Sequence, residues 1–176
     1  MNTESWIRTY TGGKVYFFDP EKSEIEFEDI SHSLSLLCRF NGATKWFYSV
    51  ANHSCIVAEN IYKETGDKNL AYCGLMHDAH EAFVSDIPSP FKKQFPEFVE
   101  AEKRFEIWLS GRFNYTPFLK IVKKHDIKAL ATEMRDLMRV ADYSVLSETP
   151  YEEKIAPLPP ILAKEMFEDT YNKYKP

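Results

Sequence analysis

The apolar residues of this chain recur at the spacing of an α-helix, and this periodicity limits the folds it can adopt. The clearest stripe lies in the segment 46–66 and consists of Val50, Ser54, Val57 and Ile61. Gly66 is a typical residue for the end of a helix, and Asp67 is a typical N-cap for the segment 68–85 that follows. Start and stop signals of this kind favour an all-α fold.

The same signals divide the rest of the chain into helices and connections. Thr-Gly-Gly and Asp-Pro within residues 7–28 indicate a short hairpin or an irregular arm, and a proline-rich loop is expected at 86–96. The predicted helices cover residues 29–40, 46–66, 68–85, 97–113, 118–146 and 161–173. We therefore predict a single all-α domain over residues 1–176, a bundle of about six helices with a small N-terminal hairpin or arm.

Composition excludes several classes of function. Hydrophobic residues make up 44% and charged residues 28% of the chain, as in an ordinary globular domain. The net charge of −5 argues against a nucleic-acid binder, which needs a basic surface, but allows a small anionic ligand. The cysteines form no CxxC pair, no signal-peptide pattern opens the chain, and no apolar run reaches membrane-spanning length. We expect a cytoplasmic protein with no membrane partner.

Titratable residues lie on apolar helical faces at separate points in the chain. His53 lies on the stripe of the segment 46–66, so its ring should point inward, where the ordinary alternative is a hydrogen-bonded core histidine. His77 and Glu81 are four residues apart and share a helical face, and Asp78 lies about 100° further round. The apolar residues that precede His77 argue against a simple surface His-Asp dipeptide.

A second His-Asp pair is expected to contribute only its aspartate. Asp126 belongs to an apolar stripe of the segment 118–146, where an ionised carboxylate is costly unless it is paired or binds a cation. His125 lies one position off that stripe and follows Lys123 and Lys124. We therefore expect His125 to be solvated and to take no part in the site.

Together these residues have the composition of a metal site. Two imidazoles and two carboxylates suit Mn, Fe, Co, Ni or Zn, and a carboxylate can bridge to a second ion such as Mg. The predicted ligands are His53, His77, Asp78 and Asp126. No cysteine joins them, which argues against a structural zinc site. The alternative is that the same side chains form internal salt bridges in a helical interaction protein.

Further charged residues flank these ligands in the sequence. Glu81 lies one turn after His77, where it can orient a water molecule or move its proton, although a surface glutamate is the ordinary alternative. Asp86 precedes Ile-Pro, where a capping or turn role is the ordinary alternative. A phosphate-bearing substrate would need one or two of the neighbouring cations, which are Arg39, Lys45, Lys92 and Lys93.

In three ordered motifs the chain resembles the HD-domain phosphohydrolases. These motifs are YSVANHS, LMHDAHEAFVSDIPSP and VKKHDIKALATEMRDL. The resemblance covers about residues 29–142 and implies an HD-domain helical bundle whose catalytic metal is bound by the predicted ligands. Within that superfamily the chain is similar to the YfbR-type 5′-deoxynucleotidases and to the phage dATP triphosphohydrolases of the DatZ type. The shared residues are His77, Asp78, Glu81, Asp86 and the pair Arg39-Phe40, and the N-terminal region is closer in style to the phage enzymes.

The resemblance also implies roles for the residues around the metal. Glu81 is then the catalytic carboxylate, and Asp86 contacts the deoxyribose or a second metal. The expected substrate-binding residues, cations at the phosphates and aromatic rings beside the nucleoside, are Arg39, Phe40, Lys45, Trp46 and Lys92. Lys93 is an alternative to Lys92, and neither His32 nor His80 receives a role.

The function that the resemblance implies is metal-dependent hydrolysis of a deoxynucleotide phosphoester, with dATP giving deoxyadenosine and triphosphate as the preferred case. A 5′-deoxynucleotidase acting on monophosphates is the first alternative. A non-catalytic metal- or nucleotide-binding regulatory module is the alternative of another class. The expected partners are a small-molecule deoxynucleotide and further copies of the chain in a dimer or hexamer, in the cytoplasm of the cell or of a phage host.

Overall fold

The computed structural model describes residues 5–176, so the first four residues of the segment examined for a signal peptide lie outside it. Two short strands come first, β1 (Ile7–Arg8) and β2 (Lys14–Val15). The helices are α1 (Phe27–Leu36), α2 (Val50–Thr65), α3 (Lys68–Met76), α4 (Glu81–Val84), α5 (Ser89–Lys92), α6 (Pro96–Phe113), α7 (Lys120–Leu137) and α8 (Pro160–Tyr174). The predicted all-α fold is confirmed, because β1 and β2 form the only sheet of the described residues.

The residues before α1 form the predicted N-terminal hairpin. β1 and β2 pair in antiparallel orientation, with Ile7 opposite Val15. Asp29 is fully buried in the first turn of α1 and accepts hydrogen bonds from the backbone N–H groups of Thr11 and Glu26. The hairpin is thereby fixed to the start of α1.

Local capping residues set the limits of α2 and α3. The Ser49 hydroxyl accepts the backbone N–H of Asn52 at the start of α2. Gly66 follows the end of α2 with a left-handed φ of 69°, and Asp67 accepts the backbone N–H of Asn69 in the first turn of α3. The predicted roles of Gly66 and Asp67 are confirmed.

α2 lies at the centre of the bundle and packs against α1, α3, α7 and α8. Val57 and Ile61, from its predicted apolar stripe, are fully buried. α3 approaches α2 most closely at Gly74, where a Cβ atom would lie 2.5 Å from Cδ1 of Ile61 and 3.4 Å from Cα of Ala58. This close packing brings residues at the end of α3 near the middle of α2.

The segment 68–85 differs from the single helix that was predicted. α3 ends at Met76 because the next turn uses hydrogen bonds between residues three apart, such as that from Ala79 N to the carbonyl of Met76 at 3.0 Å. The chain then re-enters a helix at Glu81. The tighter turn separates the directions of the side chains at 77 and 78 from that at 81.

α7 is also shorter than predicted. It ends at Leu137, whose carbonyl accepts the backbone N–H of Lys45 at 2.9 Å. Residues 138–159 then run without regular helix or strand to α8, which packs on α1 and α2. No helix within residues 5–176 is both long and apolar enough to cross a membrane.

Candidate metal centre and its cavity

Three side chains from three different elements converge beside α2. His53 comes from α2, His77 from the turn after α3 and Asp126 from α7. One ligand atom from each lies within 4.8 Å of the others. His53 is fully buried, whereas His77 and Asp126 are partly exposed. Imidazole and carboxylate groups at this spacing can hold a divalent metal ion.

Both histidines direct an unpaired ring nitrogen into this cluster. Nδ1 of His77 donates to the carbonyl of Gly74 at 2.7 Å, and Nδ1 of His53 lies 2.6 Å from Oε1 of Glu133. Because a carbonyl only accepts, neutral His77 carries its proton on Nδ1 and a lone pair on Nε2. Nε2 of each ring is buried and has no hydrogen-bond partner among residues 5–176. Two such lone pairs fit a divalent metal.

Asp78 completes the predicted set of ligands. Its Oδ2 atom lies 3.2 Å from Nε2 of His77 and 3.7 Å from Nε2 of His53. Oδ1 of Asp126 lies 3.3 Å from the same Nε2 of His53. The structure therefore brings all four side chains together, and their role as metal ligands stays a prediction that this geometry supports.

The charges of these side chains depend on one another. Burial and the charge of Arg39 would lower the pKa of His53, but Glu133 and Asp126 raise it to about 9. Burial would raise the pKa of the Asp126 carboxyl, but His53 and His77 hold it below its ordinary range. Protonated histidines thus balance the negative charge of the carboxylates. A divalent cation bound here would displace the protons from the ring nitrogens and balance that charge instead.

Glu133 contacts the candidate site and was not predicted from the sequence. It is fully buried on α7 and accepts hydrogen bonds from Tyr48 Oη at 3.0 Å and Arg39 Nη2 at 3.0 Å, besides its contact with His53. Such a carboxylate fixes the orientation and tautomer of a metal-binding histidine. The available signal was its position seven residues after Asp126, two turns along the same face of a helix.

Arg39 links this buried carboxylate to the open side of the site. Its Nε and Nη2 atoms both bond Oε2 of Glu133. Its Nη1 atom faces Oδ2 of Asp78 at 3.9 Å and Oδ2 of Asp86 at 4.0 Å. Phe40 follows with a left-handed φ of 55°. One edge of the Arg39 guanidinium is therefore held in place while the other faces the predicted ligands.

A cavity of about 500 Å³ opens over the metal centre. It contains most of the predicted functional side chains, including Arg39, Phe40, His77, Asp78, Glu81, Asp86, Lys92 and Asp126. The remaining wall includes His80, Glu102, Glu106, Phe118, Leu119, Val122, Lys123 and Leu130. The cavity thus combines the candidate metal ligands with carboxylates, cations and apolar side chains.

Glu81 has a strongly perturbed carboxyl group in this cavity. Its Oε2 atom is buried and has no hydrogen-bond partner among the described residues. Burial raises the pKa of Glu81 well above its ordinary value, and the charges of Asp78 and Asp86 raise it further. A carboxyl group in this environment keeps a proton that it can transfer. Lys92 lies nearby and bonds Oε1 of Glu102 at 2.8 Å.

Two of the predicted substrate-binding residues do not line this cavity. The Lys45 ammonium donates to the carbonyl of Asp136 at 2.9 Å. Trp46 is 62% exposed and lines a separate apolar cavity with Phe47 and Leu158. Their closeness to Arg39 in the sequence does not bring them to it in space, because the chain turns sharply through the left-handed residues at 40–42.

The expectation that His125 is solvated is wrong. His125 is 1% exposed, its Nδ1 lies 2.8 Å from the hydroxyl of Tyr151, and its Nε2 lies 3.2 Å from Oε2 of Glu64. The segment that follows α7 folds back and covers it with Tyr151, which helical periodicity does not predict. His125 is not among the residues that line the metal cavity, as expected.

The histidines left without a role lie on different sides of Glu81. His80 lines the metal cavity, and its Nε2 lies 3.6 Å from Oε1 of Glu102. His32 stacks on Tyr10, with ring centroids 3.6 Å apart, in a second cavity that also reaches Glu81. Only His80 therefore shares a wall with the predicted metal ligands.

Comparisons with known proteins agree with this arrangement. Residues 47–143 match the family described as 5′-deoxynucleotidase YfbR-like. The Escherichia coli (strain K12) protein named "Uncharacterized protein YfdR" is 36% identical over 174 residues, which are 96% of this chain and 94% of that protein. An uncharacterized protein of Rhodobacter capsulatus is 32% identical over 133 residues, covering 73% of this chain and 68% of that protein.

Proposed function

Since the chain belongs to the YfbR-like 5′-deoxynucleotidase family of phosphohydrolases, we propose that it hydrolyses the 5′-phosphate ester of deoxynucleoside monophosphates with the help of a divalent metal. The metal would be held by His53, His77, Asp78 and Asp126. The observation that carries this proposal is the pair of buried Nε2 atoms, on His53 and His77, that make no hydrogen bond among residues 5–176 and each lie within 3.3 Å of a carboxylate oxygen. If bound by these residues, a divalent metal would lower the pKa of water and offset negative charge on the phosphate oxygens.

The protein's own residues provide the remaining chemistry. A water oxygen forms a bond to phosphorus while the bond from phosphorus to the nucleoside 5′-oxygen breaks. The leaving 5′-oxygen needs a proton, and Glu81 is the candidate donor because burial raises the pKa of its carboxyl group well above the ordinary value for glutamate. Glu81 lines the cavity in which the ester would lie, and its Oε2 atom has no hydrogen-bond partner among the described residues.

Two cations are available to hold the phosphate group. Nη1 of Arg39 makes no hydrogen bond among residues 5–176 and faces the cavity, whereas its other nitrogens are fixed by Glu133. Lys92 lines the same cavity. Both would place positive charge where negative charge develops as the ester breaks. Asp86, 4.0 Å from Arg39, is the candidate contact for a deoxyribose hydroxyl.

The charge of the cavity favours a monophosphate over a triphosphate. Carboxylates outnumber cations in its lining, and each lining cation already faces a carboxylate. A triphosphate would bring about four negative charges into this environment, whereas a monophosphate brings about two. Hydrolysis of dATP to deoxyadenosine and triphosphate remains the competing activity, because the side chain of Lys123 is 70% exposed at the cavity and its ammonium, now 2.8 Å from Oδ2 of Asp126, would reach distal phosphates after leaving that carboxylate.

One experiment separates these activities. The purified protein is incubated with each deoxynucleoside monophosphate and triphosphate, with Mn²⁺, Co²⁺ or Mg²⁺ or with a chelator, and the products are separated. Orthophosphate from monophosphates is the expected result, and it should disappear with the chelator. Triphosphate released from dATP would instead support the competing activity. Binding without turnover would identify a regulatory module, and no binding or turnover with any metal would overturn the proposal.

The assembly and setting of the protein are also proposals. We propose a homo-oligomer, a dimer or hexamer, in the cytoplasm, built from one domain that spans the chain. Apolar side chains that are exposed on α6, such as Ile107 at 50%, support a contact between copies. Light scattering of the purified protein tests this, and a monomer at micromolar concentration would contradict it.

A further inference from the structure

One wall of the metal cavity carries polar groups that the proposed hydrolysis does not use. Glu102 and Glu106 lie four residues apart on α6, so both face the cavity. Glu102 is neutralised by Lys92 at 2.8 Å. Glu106 is only 8% exposed and makes no hydrogen bond or ion pair among the described residues. A buried carboxylate without a partner is unusual, so this one calls for a ligand.

A second unpaired group lies on the same wall. Nδ1 of His80 is buried and has no hydrogen-bond partner among residues 5–176, and the residue as a whole is 6% exposed. The other ring nitrogen of His80 faces Glu102 at 3.6 Å. The wall thus offers an imidazole edge and a carboxylate to a ligand that has several hydrogen-bonding groups of its own.

An aromatic ring lines the same cavity and lies close to α6, since Nζ of Lys103 is 5.4 Å from the ring centroid of Phe118. Phe118 lines the cavity just before α7, is 57% exposed and has a left-handed φ of 59°. A phenylalanine rarely adopts this backbone conformation, and such strain is concentrated at ligand-binding sites. Its exposed face, together with Leu119 and Val122 of the same wall, suits a flat apolar surface.

A nucleobase combines a flat face with a polar edge, and it therefore matches this wall. Phosphate does not, because Glu106 would repel it. On the basis of the proposed function, we propose that Glu106 and Phe118 form the nucleobase subsite and that Glu106 selects bases with an exocyclic amino group. A carboxylate accepts a hydrogen bond from the amino group of cytosine or adenine, whereas it repels the carbonyl oxygen that uracil or thymine presents at the equivalent position.

Deoxycytidine and deoxyuridine provide a matched pair of probes, since they differ at this amino group and neither has an ester to hydrolyse. Binding of both nucleosides to the metal-loaded protein is measured by calorimetry. We expect deoxycytidine to bind roughly ten-fold more tightly than deoxyuridine, as for a hydrogen bond to a charged acceptor. The ratio should fall to about one in Glu106→Gln, whose amide can serve either base.

Two further variants make the result specific. Phe118→Leu should weaken the binding of both nucleosides and leave their ratio unchanged. Glu97→Gln removes the same charge from an exposed position of α6 that does not line the cavity, and it should change neither affinity nor ratio. Circular dichroism checks that each variant is folded.

A ratio near one in the unmodified protein, an unchanged ratio in Glu106→Gln, or no nucleoside binding at all would overturn the inference. Turnover of monophosphates is assayed on the same preparations. Turnover without base selection would support the proposed function and contradict the nucleobase subsite. Selective nucleoside binding without turnover would support the subsite and contradict the proposed function.

Discussion

Oε1 of Glu133 lies 2.6 Å from Nδ1 of His53, and neither side chain is exposed to solvent. This contact holds the opposite ring nitrogen of His53 toward His77 and Asp126. The contact therefore connects a buried residue of α7 to the candidate metal centre. Because Glu133 is not a predicted ligand, replacing it tests whether its support of His53 affects metal affinity.

Replacing Glu133 with glutamine should weaken metal binding. The amide oxygen can still accept a hydrogen bond from His53, but the side chain no longer carries the charge that holds the ring of His53, so we expect an affinity loss of roughly 10- to 100-fold. Calorimetric titration with Mn²⁺ or Co²⁺ measures it. Glu64→Gln is the matched control, since Glu64 faces His125 away from the cavity. Equal affinities in both variants would contradict the role of Glu133.

Replacing Glu81 with glutamine should remove turnover and keep the metal. The amide retains the shape of the side chain but cannot donate a proton to the leaving oxygen, so the rate should fall by roughly 100- to 10,000-fold. Elemental analysis and initial rates with monophosphates are measured on the same sample. An unchanged rate would show that Glu81 is not the proton donor.

Adding metal should stabilise the folded protein. After treatment with a chelator, Mn²⁺ or Co²⁺ at 100 times its Kd should raise the free energy of unfolding by about 2.7 kcal/mol, because only the folded state assembles the ligands. Thermal unfolding with and without the ion gives the shift. His77→Ala should remove it, and a shift of the same size in that variant would place the ion elsewhere.

Glu102 should make folding sensitive to acid. Burial would raise the pKa of its carboxyl, but His80 and Lys92 lower it below the ordinary value of 4.5. A carboxyl whose pKa is lowered by folding stabilises the protein above its unfolded-state pKa and loses that effect as the pH falls through the folded-state pKa.

The test compares unfolding of the chelated protein and of Glu102→Gln between pH 7 and pH 3. The unmodified protein should be more stable by about 1 kcal/mol at neutral pH, and the difference should shrink below the ordinary carboxyl pKa. A difference that stays constant over the whole range would show that Glu102 acts through packing rather than charge.

The contact between α2 and α3 at Gly74 can be tested by adding one methyl group. Gly74→Ala places Cβ 2.5 Å from Cδ1 of Ile61, so we expect a loss of about 1–3 kcal/mol in the free energy of unfolding. Ile61→Val removes the Cδ1 atom and should recover part of the loss in the double variant. Denaturant unfolding measures each step, and simple additivity of the two changes would contradict the clash.

Helical periodicity could place His53 and Asp126 because each is a polar residue on an otherwise apolar stripe. It places Glu133 two turns after Asp126 on the same face, but this spacing does not show which group Glu133 contacts until the facing helix is known. It failed for His125 because Tyr151 covers that ring from a segment with no periodic pattern.

The turn after α3 shows a second limit. Hydrogen bonds three residues apart and four residues apart are compatible with the same sequence, and only the packing around Gly74 and His77 selects the tighter turn. Lys45 and Trp46 show a third limit, since nearness along the chain says little about nearness in space when a sharp bend intervenes.

His53 and Asp126 belong to helices separated by much of the chain, and the turn after α3, which carries the His77-Asp78 pair, lies between them in sequence. No short fragment can therefore bring these ligands together. An ion bound there would link α2, the turn after α3 and α7. The rate of ion uptake during refolding would then report how fast α7 docks onto α2.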